Sequence, residues 1–186
     1  MTNTSATHKN SCYPHLLLIK GRVEYEQQVQ TLASLAWQIA YAALWNGEQL
    51  SPADKQAATD FILAFIKGSA DPRRGYMELV QRVLLARQFH IIHPDCFPFP
   101  PARWFGKNTR QGFPRTKKWF NSLETARQSL PMYKIGLIAF GEAVRIMHHN
   151  QNAKDFHYWR NYFIERHCHG LLNLFLSIVA NMKRQS

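Results

Sequence analysis

Six cations and several aromatic side chains are interleaved near the middle of the 186-residue sequence, and no acidic residue lies among them. The cations are Arg103, Lys107, Arg110, Arg115, Lys117 and Lys118, and Trp104 follows the first of them. Guanidinium and ammonium groups neutralise phosphates, and an aromatic ring can stack on a base for about 1–3 kcal/mol. The pattern therefore predicts that these cations and Trp104 contact nucleic-acid phosphates or another polyanion. We call residues 103–118 the basic segment.

The aromatic residues of this region also have a purely structural interpretation. They would pin a long connection to neighbouring helices while the cations keep it solvated; the residues concerned are Trp104, Phe105, Phe113 and Trp119. On this view residues 97–104, rich in proline and aromatics, dock on the helices. Residues 107–118 are then the exposed part, with Gly106 and Gly112 bracketing a short turn. Both interpretations are compatible with the sequence.

Nine histidines raise the question of a metal site. His90, His93 and Cys96 are spaced by three residues, and His167 could face them from the last predicted helix, so that the four would surround a zinc ion. Pro94 interrupts the helix between the first ligands, however, and no pair of cysteines has the spacing of a zinc motif. The four residues are weak candidates, and no cofactor or metal is predicted.

Two other patterns fall short of a catalytic motif. Gly106-Lys107-Asn108-Thr109 resembles part of a phosphate-binding loop, but Pro101 replaces the required first glycine and Asn108 the required Ser or Thr. A second histidine cluster has too few carboxylates nearby for metal-assisted hydrolysis; it comprises His148, His149, Asp155 and His157. An enzyme is not favoured, although a metal-dependent enzyme built on the histidines is kept as the third alternative.

Composition places the chain among globular proteins, with 46% hydrophobic and 19% charged residues. The net charge of +11 is uneven, since residues 94–186 carry fourteen Lys/Arg against five Asp/Glu. Such a surface favours anionic partners. Three cysteines do not form a disulfide framework, and the first fifteen residues lack the apolar core of a signal peptide. No transmembrane segment is predicted, and a cytoplasmic location is expected.

Apolar residues recur every three or four positions outside the basic segment, which predicts helices. They are expected near residues 24–46, 52–67, 72–91, 116–130, 131–149 and 153–183, after a flexible tail at 1–13. Ser51-Pro52 and Asp71-Pro72 indicate two helix starts, and Thr116 is expected to cap the helix that follows the basic segment. No alternating strand pattern competes. The prediction is one all-α domain at 14–186, an irregular bundle of about six helices with a long Pro-rich, aromatic and basic connection in its middle.

Three functions follow from these patterns. The first is a non-enzymatic binding module that contacts nucleic-acid phosphates or another polyanion through the basic segment. Some of the arginines of the third helix could extend that surface; the candidates are Arg73, Arg74, Arg82 and Arg87. The second is a structural or adaptor subunit that binds protein partners, and the third is the histidine-based enzyme.

Overall fold

The computed structural model describes residues 14–46, 48–92, 101–108, 110–127 and 134–185. These residues form seven α-helices and one short 3₁₀ helix, and they contain no β-strand. The elements are α1 Pro14–Leu44, α2 Pro52–Lys67, α3 Pro72–Ile92, the 3₁₀ helix Ala102–Phe105, α4 Pro114–Arg127, α5 Lys134–Asn150, α6 Ala153–Glu165 and α7 His169–Gln185. The predicted all-α architecture is confirmed. The predicted tail at 1–13 and the helix boundary at 130–131 lie outside the described residues.

The start of α2 follows from local hydrogen bonding. The Ser51 hydroxyl accepts the Asp54 amide at 3.1 Å and donates to the Asp54 carboxylate at 2.9 Å. Pro52 occupies the first helical position, where its missing N–H has no intrahelical partner to lose. The Asp71 carboxylate accepts the Arg73 amide at 3.0 Å in the same way before α3. Both helices therefore begin where the capping residues place them.

The last predicted helix, 153–183, is wrong as a single element, because the chain breaks into α6 and α7 around His167. His167 has a φ of 53°, and its amide donates to the Ile164 carbonyl at 3.0 Å. The Cys168 amide donates to the Phe163 carbonyl at 2.9 Å. This pair of bonds is a Schellman motif, in which glycine usually holds the left-handed position. The sequence carries no glycine or proline there to announce the break.

Helix α3 connects two groups of elements. It packs against α1, α2 and α4 on the one hand and against α5 on the other. Its Tyr76 is wholly buried and donates its hydroxyl to the Gly141 carbonyl of α5 at 3.1 Å. A Cβ at Gly141 would lie 3.0 Å from the sulfur of Met77, so the lack of a side chain at Gly141 allows α3 and α5 to approach closely. The 3₁₀ helix contacts α2 and α4, whereas α5, α6 and α7 contact one another.

Candidate anion-binding surface

The basic segment is anchored to the bundle through its 3₁₀ helix. Phe105 is 3% exposed and meets three rings edge-on. The centroids lie at 5.3 Å from Trp45, 5.1 Å from Phe61 and 6.2 Å from Trp119. Such edge-to-face pairs add to the stabilisation from apolar burial. The anchoring role predicted for Phe105 and Trp119 is therefore confirmed.

A second anchor joins the 3₁₀ helix to α4. Thr116 is 1% exposed, and its hydroxyl donates to the carbonyl of Trp104 at 2.8 Å. The expectation that Thr116 caps α4 is wrong, because the helix already begins at Pro114 and Thr116 lies in its first turn. Trp104 is half-buried and packs against the core, so only part of its ring is open to a stacking partner.

Between these anchors lies the short exposed turn predicted between the two glycines. Asn108 and Gly112 form an antiparallel bridge, with amide-to-carbonyl distances of 2.6 and 2.8 Å. The Asn108 side chain accepts the amide of Arg110 at 3.1 Å. Gly112 has a φ of 69°, a conformation that L side chains rarely adopt. Arg110 is thus held at the tip of a defined turn; Thr109 lies outside the described residues.

The six cations of the basic segment are all exposed. None of them forms an ion pair with any other residue that the structure describes. The ion pairs found there join other residues, namely Lys67–Glu26, Arg73–Glu142, Arg74–Glu78 and Arg145–Glu142. The charge of Arg103, Lys107, Arg110, Arg115, Lys117 and Lys118 therefore faces solvent.

The arginines of α3 have separate roles. Arg73 pairs with Glu142 at 2.8 Å and Arg74 with Glu78 at 3.2 Å. Arg87 donates to the carbonyl of Ala42 at 3.3 Å, and burial lowers the pKa of its guanidinium from the ordinary value. Arg82 is different, since its guanidinium carbon lies 5.7 and 5.3 Å from the ring centroids of Phe65 and Phe120. Arg82 also lines a cavity together with residues of the basic segment.

That cavity is an open groove of about 360 Å³ between α2, α3 and the start of α4. We call it the phenylalanine groove; its lining residues are Phe61, Ala64, Phe65, Arg82, Phe113, Lys117, Phe120 and Asn121. Four rings and two cations line it, and none of its described lining residues is acidic. The sequence marks Phe61 and Phe65 as an apolar stripe of α2, but no local signal says that α4 would meet it.

The histidine sites receive no support from the described residues. His90 lies half-buried on α3 and His167 is exposed at the α6–α7 break. His93 and Cys96 lie outside the described residues. Within the described ranges, no group of three or more His, Cys, Asp or Glu residues is arranged to hold a metal ion.

The second histidine cluster is a helix junction. Its aspartate, Asp155, accepts side-chain amides from Asn150 at 3.2 Å and Asn152 at 2.8 Å, and Asn152 caps α6 by accepting the Asp155 amide at 2.7 Å. Burial, followed by the neighbouring His149, lowers the pKa of His148. The carboxylate is therefore engaged in connecting α5 to α6.

Among the described helices, none combines the length and the apolar character that a membrane span requires. Comparison of the chain with protein-family models, with curated proteins and with solved structures finds no match. Any function must therefore be inferred from the side chains of this chain and their surroundings.

Proposed function

We propose that the protein is a non-enzymatic helical binding module that contacts the phosphates of a nucleic acid through the basic segment. The observation that carries this proposal is the lack of any described ion-pair partner for the segment's six exposed cations. A cation already paired within the protein must give up that partner to bind a phosphate. An unpaired one exchanges only solvent and small ions, whose release favours binding.

The anchoring of the segment supports the same proposal. Phe105 fixes the 3₁₀ helix in the core, the Thr116 hydroxyl ties α4 to it, and hydrogen bonds across Asn108 and Gly112 define the turn. Binding to a segment whose backbone is already ordered loses less conformational entropy than binding to a loose loop. A nucleic-acid backbone is a suitable partner for such a segment, because it offers several phosphates to several exposed cations.

Two double variants with the same change in net charge test the proposal. Arg110→Gln with Arg115→Gln removes two charges from the basic segment, and Lys154→Gln with Arg160→Gln removes two exposed charges from α6. The readout is fluorescence anisotropy of labelled DNA and RNA, single-stranded and duplex, over a salt series that begins at about 50 mM.

The wild-type protein is expected to bind with an affinity that falls steeply with salt. Loss of two phosphate contacts should weaken binding and reduce the slope of log K against log salt by about 2. The α6 pair should leave the slope unchanged. Absence of wild-type binding at low salt, or equal losses in the two double variants, would overturn the proposal.

Protein partners, the second function predicted from the sequence, have weaker support. An adaptor surface is usually marked by a contiguous exposed apolar patch. The large apolar side chains that are exposed among the described residues lie on two separate helices, α1 and α6; they are Val23, Tyr25, Tyr158 and Ile164.

A further inference from the structure

The phenylalanine groove lies directly beside the basic segment and shares two residues with it. Phe113 and Lys117 belong to both. Among its rings, Phe61 and Phe120 are 5% and 3% exposed, whereas Phe65 and Phe113 are half-buried, so part of their ring surface is accessible. At about 360 Å³ the groove is near the lower end of the roughly 300–1,000 Å³ range of small-ligand pockets. It is therefore suited to one planar group.

The charges around the groove limit the chemistry of that group. Lys117 is exposed and has no ion-pair partner among the described residues, and the Arg82 guanidinium lies over the Phe65 and Phe120 rings. The lining residues that the structure describes include no acid. Rings combined with cations favour a flat π-system that carries a negative charge close by.

We infer that the protein binds single-stranded nucleic acid, with one unpaired base in the phenylalanine groove. The adjoining phosphates would lie on Arg82 and Lys117 and on the two cations of the turn, Lys107 and Arg110. An unpaired base offers an open ring face within one nucleotide of its phosphate. Bases in a duplex are already stacked on their neighbours and cannot enter the groove without being unpaired. This inference rests on the proposed function, because the same segment must first attract the nucleic-acid backbone.

The first test uses only the wild-type protein and labelled strands of about 12 nucleotides, within the site sizes of single-strand binders. The intact single strand is compared with its duplex and with a strand of equal length and charge that carries abasic sites. We expect the intact strand to bind about 10-fold more tightly than either, corresponding to one base stacked on a ring. Equal affinity for intact and abasic strands would overturn the inference.

The second test replaces one ring face while keeping an apolar side chain. Phe113→Leu should lower single-strand affinity about 10-fold and leave duplex affinity unchanged. The matched control is Phe156→Leu, which alters a half-buried ring of α6 and should change neither affinity. Circular dichroism verifies that both variants fold. If Phe113→Leu does not fold, Phe65→Leu takes its place.

The two proposals fail in different ways. Wild-type protein that binds single strand, duplex and abasic strand with equal, salt-sensitive affinity would overturn the inference and leave the proposed function intact. Wild-type protein that binds none of them would overturn both. If Phe156→Leu lost as much single-strand affinity as Phe113→Leu, the effect would not be specific to the groove. The proposal that the groove holds the base would then be overturned.

Discussion

The molecule contains two aromatic clusters with similar packing and different surroundings. The first, near the basic segment, consists of Trp45, Phe61, Phe65, Phe105, Phe113, Trp119 and Phe120, with ring centroids 5.0–6.2 Å apart. The second, in α5–α7, consists of Phe140, Phe156, Trp159, Tyr162, Phe163 and Phe175, at 5.5–6.4 Å. Both sets of distances are ordinary for aromatic pairs in a core. Ring packing alone therefore does not separate a binding surface from a structural cluster.

The cations around the two clusters do separate them. Near the second cluster, Arg145 pairs with Glu142, the Arg166 guanidinium lies 3.8 Å from the Tyr162 ring centroid, and the Lys183 ammonium lies 5.5 Å from that of Phe156. These groups stabilise the fold itself. Near the first cluster, Arg82 likewise lies over the Phe65 and Phe120 rings. The cations of the basic segment differ, because they have neither a carboxylate nor a ring as a partner among the described residues. Unpaired charge, rather than aromatic density, is therefore what distinguishes the surface that we propose binds nucleic acid.

Truncation of the central ring in each cluster should have the largest effect on stability. Phe61 is 5% exposed and Phe163 is fully buried. We expect Phe61→Ala and Phe163→Ala each to lower the free energy of unfolding by about 3–5 kcal/mol, through lost apolar burial and the cavity left behind. Urea denaturation followed by circular dichroism measures both. Tyr158→Ala, at a side chain 61% exposed, is the control and should change stability by about 0.5 kcal/mol or less.

Unequal losses of stability in Phe61→Ala and Phe163→Ala would show that the two clusters are not packed alike. If Phe163→Ala showed the full effect while Phe61→Ala changed stability by less than about 1 kcal/mol, the first cluster would be a surface arrangement rather than a core. The basic segment would then lack the anchor that orders it before binding.

The carboxylate of Glu142 provides a test that depends on pH. It accepts hydrogen bonds from Arg145 at 2.7 and 3.0 Å and from Arg73 at 2.8 Å, and its side chain is 24% exposed. The hydrogen bond from Arg145, then that from Arg73, holds the pKa of Glu142 below its ordinary value despite opposing desolvation. A carboxylate with a lowered folded-state pKa stabilises the fold above its unfolded pKa of about 4.3, and this stabilisation disappears as the pH falls through the folded-state pKa.

Glu142→Gln should therefore lower the free energy of unfolding by about 1 kcal/mol at neutral pH. The difference from wild type should begin to shrink below about pH 4, where the unfolded wild-type chain takes up a proton, and should disappear once the pH falls through the lowered folded-state pKa of Glu142. Urea denaturation at several pH values measures it. The Arg110→Gln, Arg115→Gln variant should show no such pH dependence, since neither arginine pairs with a described acid. A difference for Glu142→Gln that stays constant with pH would mean that its charge is not what stabilises the contact.

Features with local causes could be predicted from the sequence. Helix α2 spans Pro52–Lys67, the same residues as the predicted helix, because Ser51 and Pro52 define its start within one turn. The turn closed by Asn108 and Gly112 also follows from short-range chemistry, namely a side-chain acceptor and a glycine with positive φ. Neither feature depends on distant parts of the chain.

Features that depend on tertiary contacts could not be predicted. The partners of Arg73 and Arg82 come from distant parts of the chain, and only the fold places Glu142 beside Arg73 and the Phe65 and Phe120 rings beside Arg82. The phenylalanine groove is hidden for the same reason, because periodicity identifies the apolar face of α2 without saying which element covers it. The lack of ion-pair partners for the segment's cations could not be predicted either, because it depends on where the fold places acids from other parts of the chain.

The helix break at His167 has local causes but could not be predicted from the sequence. Substitution there should give the smallest of the predicted changes in stability. Its hydrogen bonds are local, yet histidine at a φ of 53° is strained where glycine is not. His167 is exposed, so its side chain has little packing to lose.

His167→Gly should raise the free energy of unfolding by about 0.5 kcal/mol, since relief of strain exceeds the added entropy of the unfolded chain. Gln151→Gly, at a φ of 41° after α5, should behave alike. Urea denaturation measures both variants. A loss of stability confined to His167→Gly would mean that the imidazole itself stabilises the α6–α7 junction, and the second cluster would then depend on a polar contact as well as on its rings.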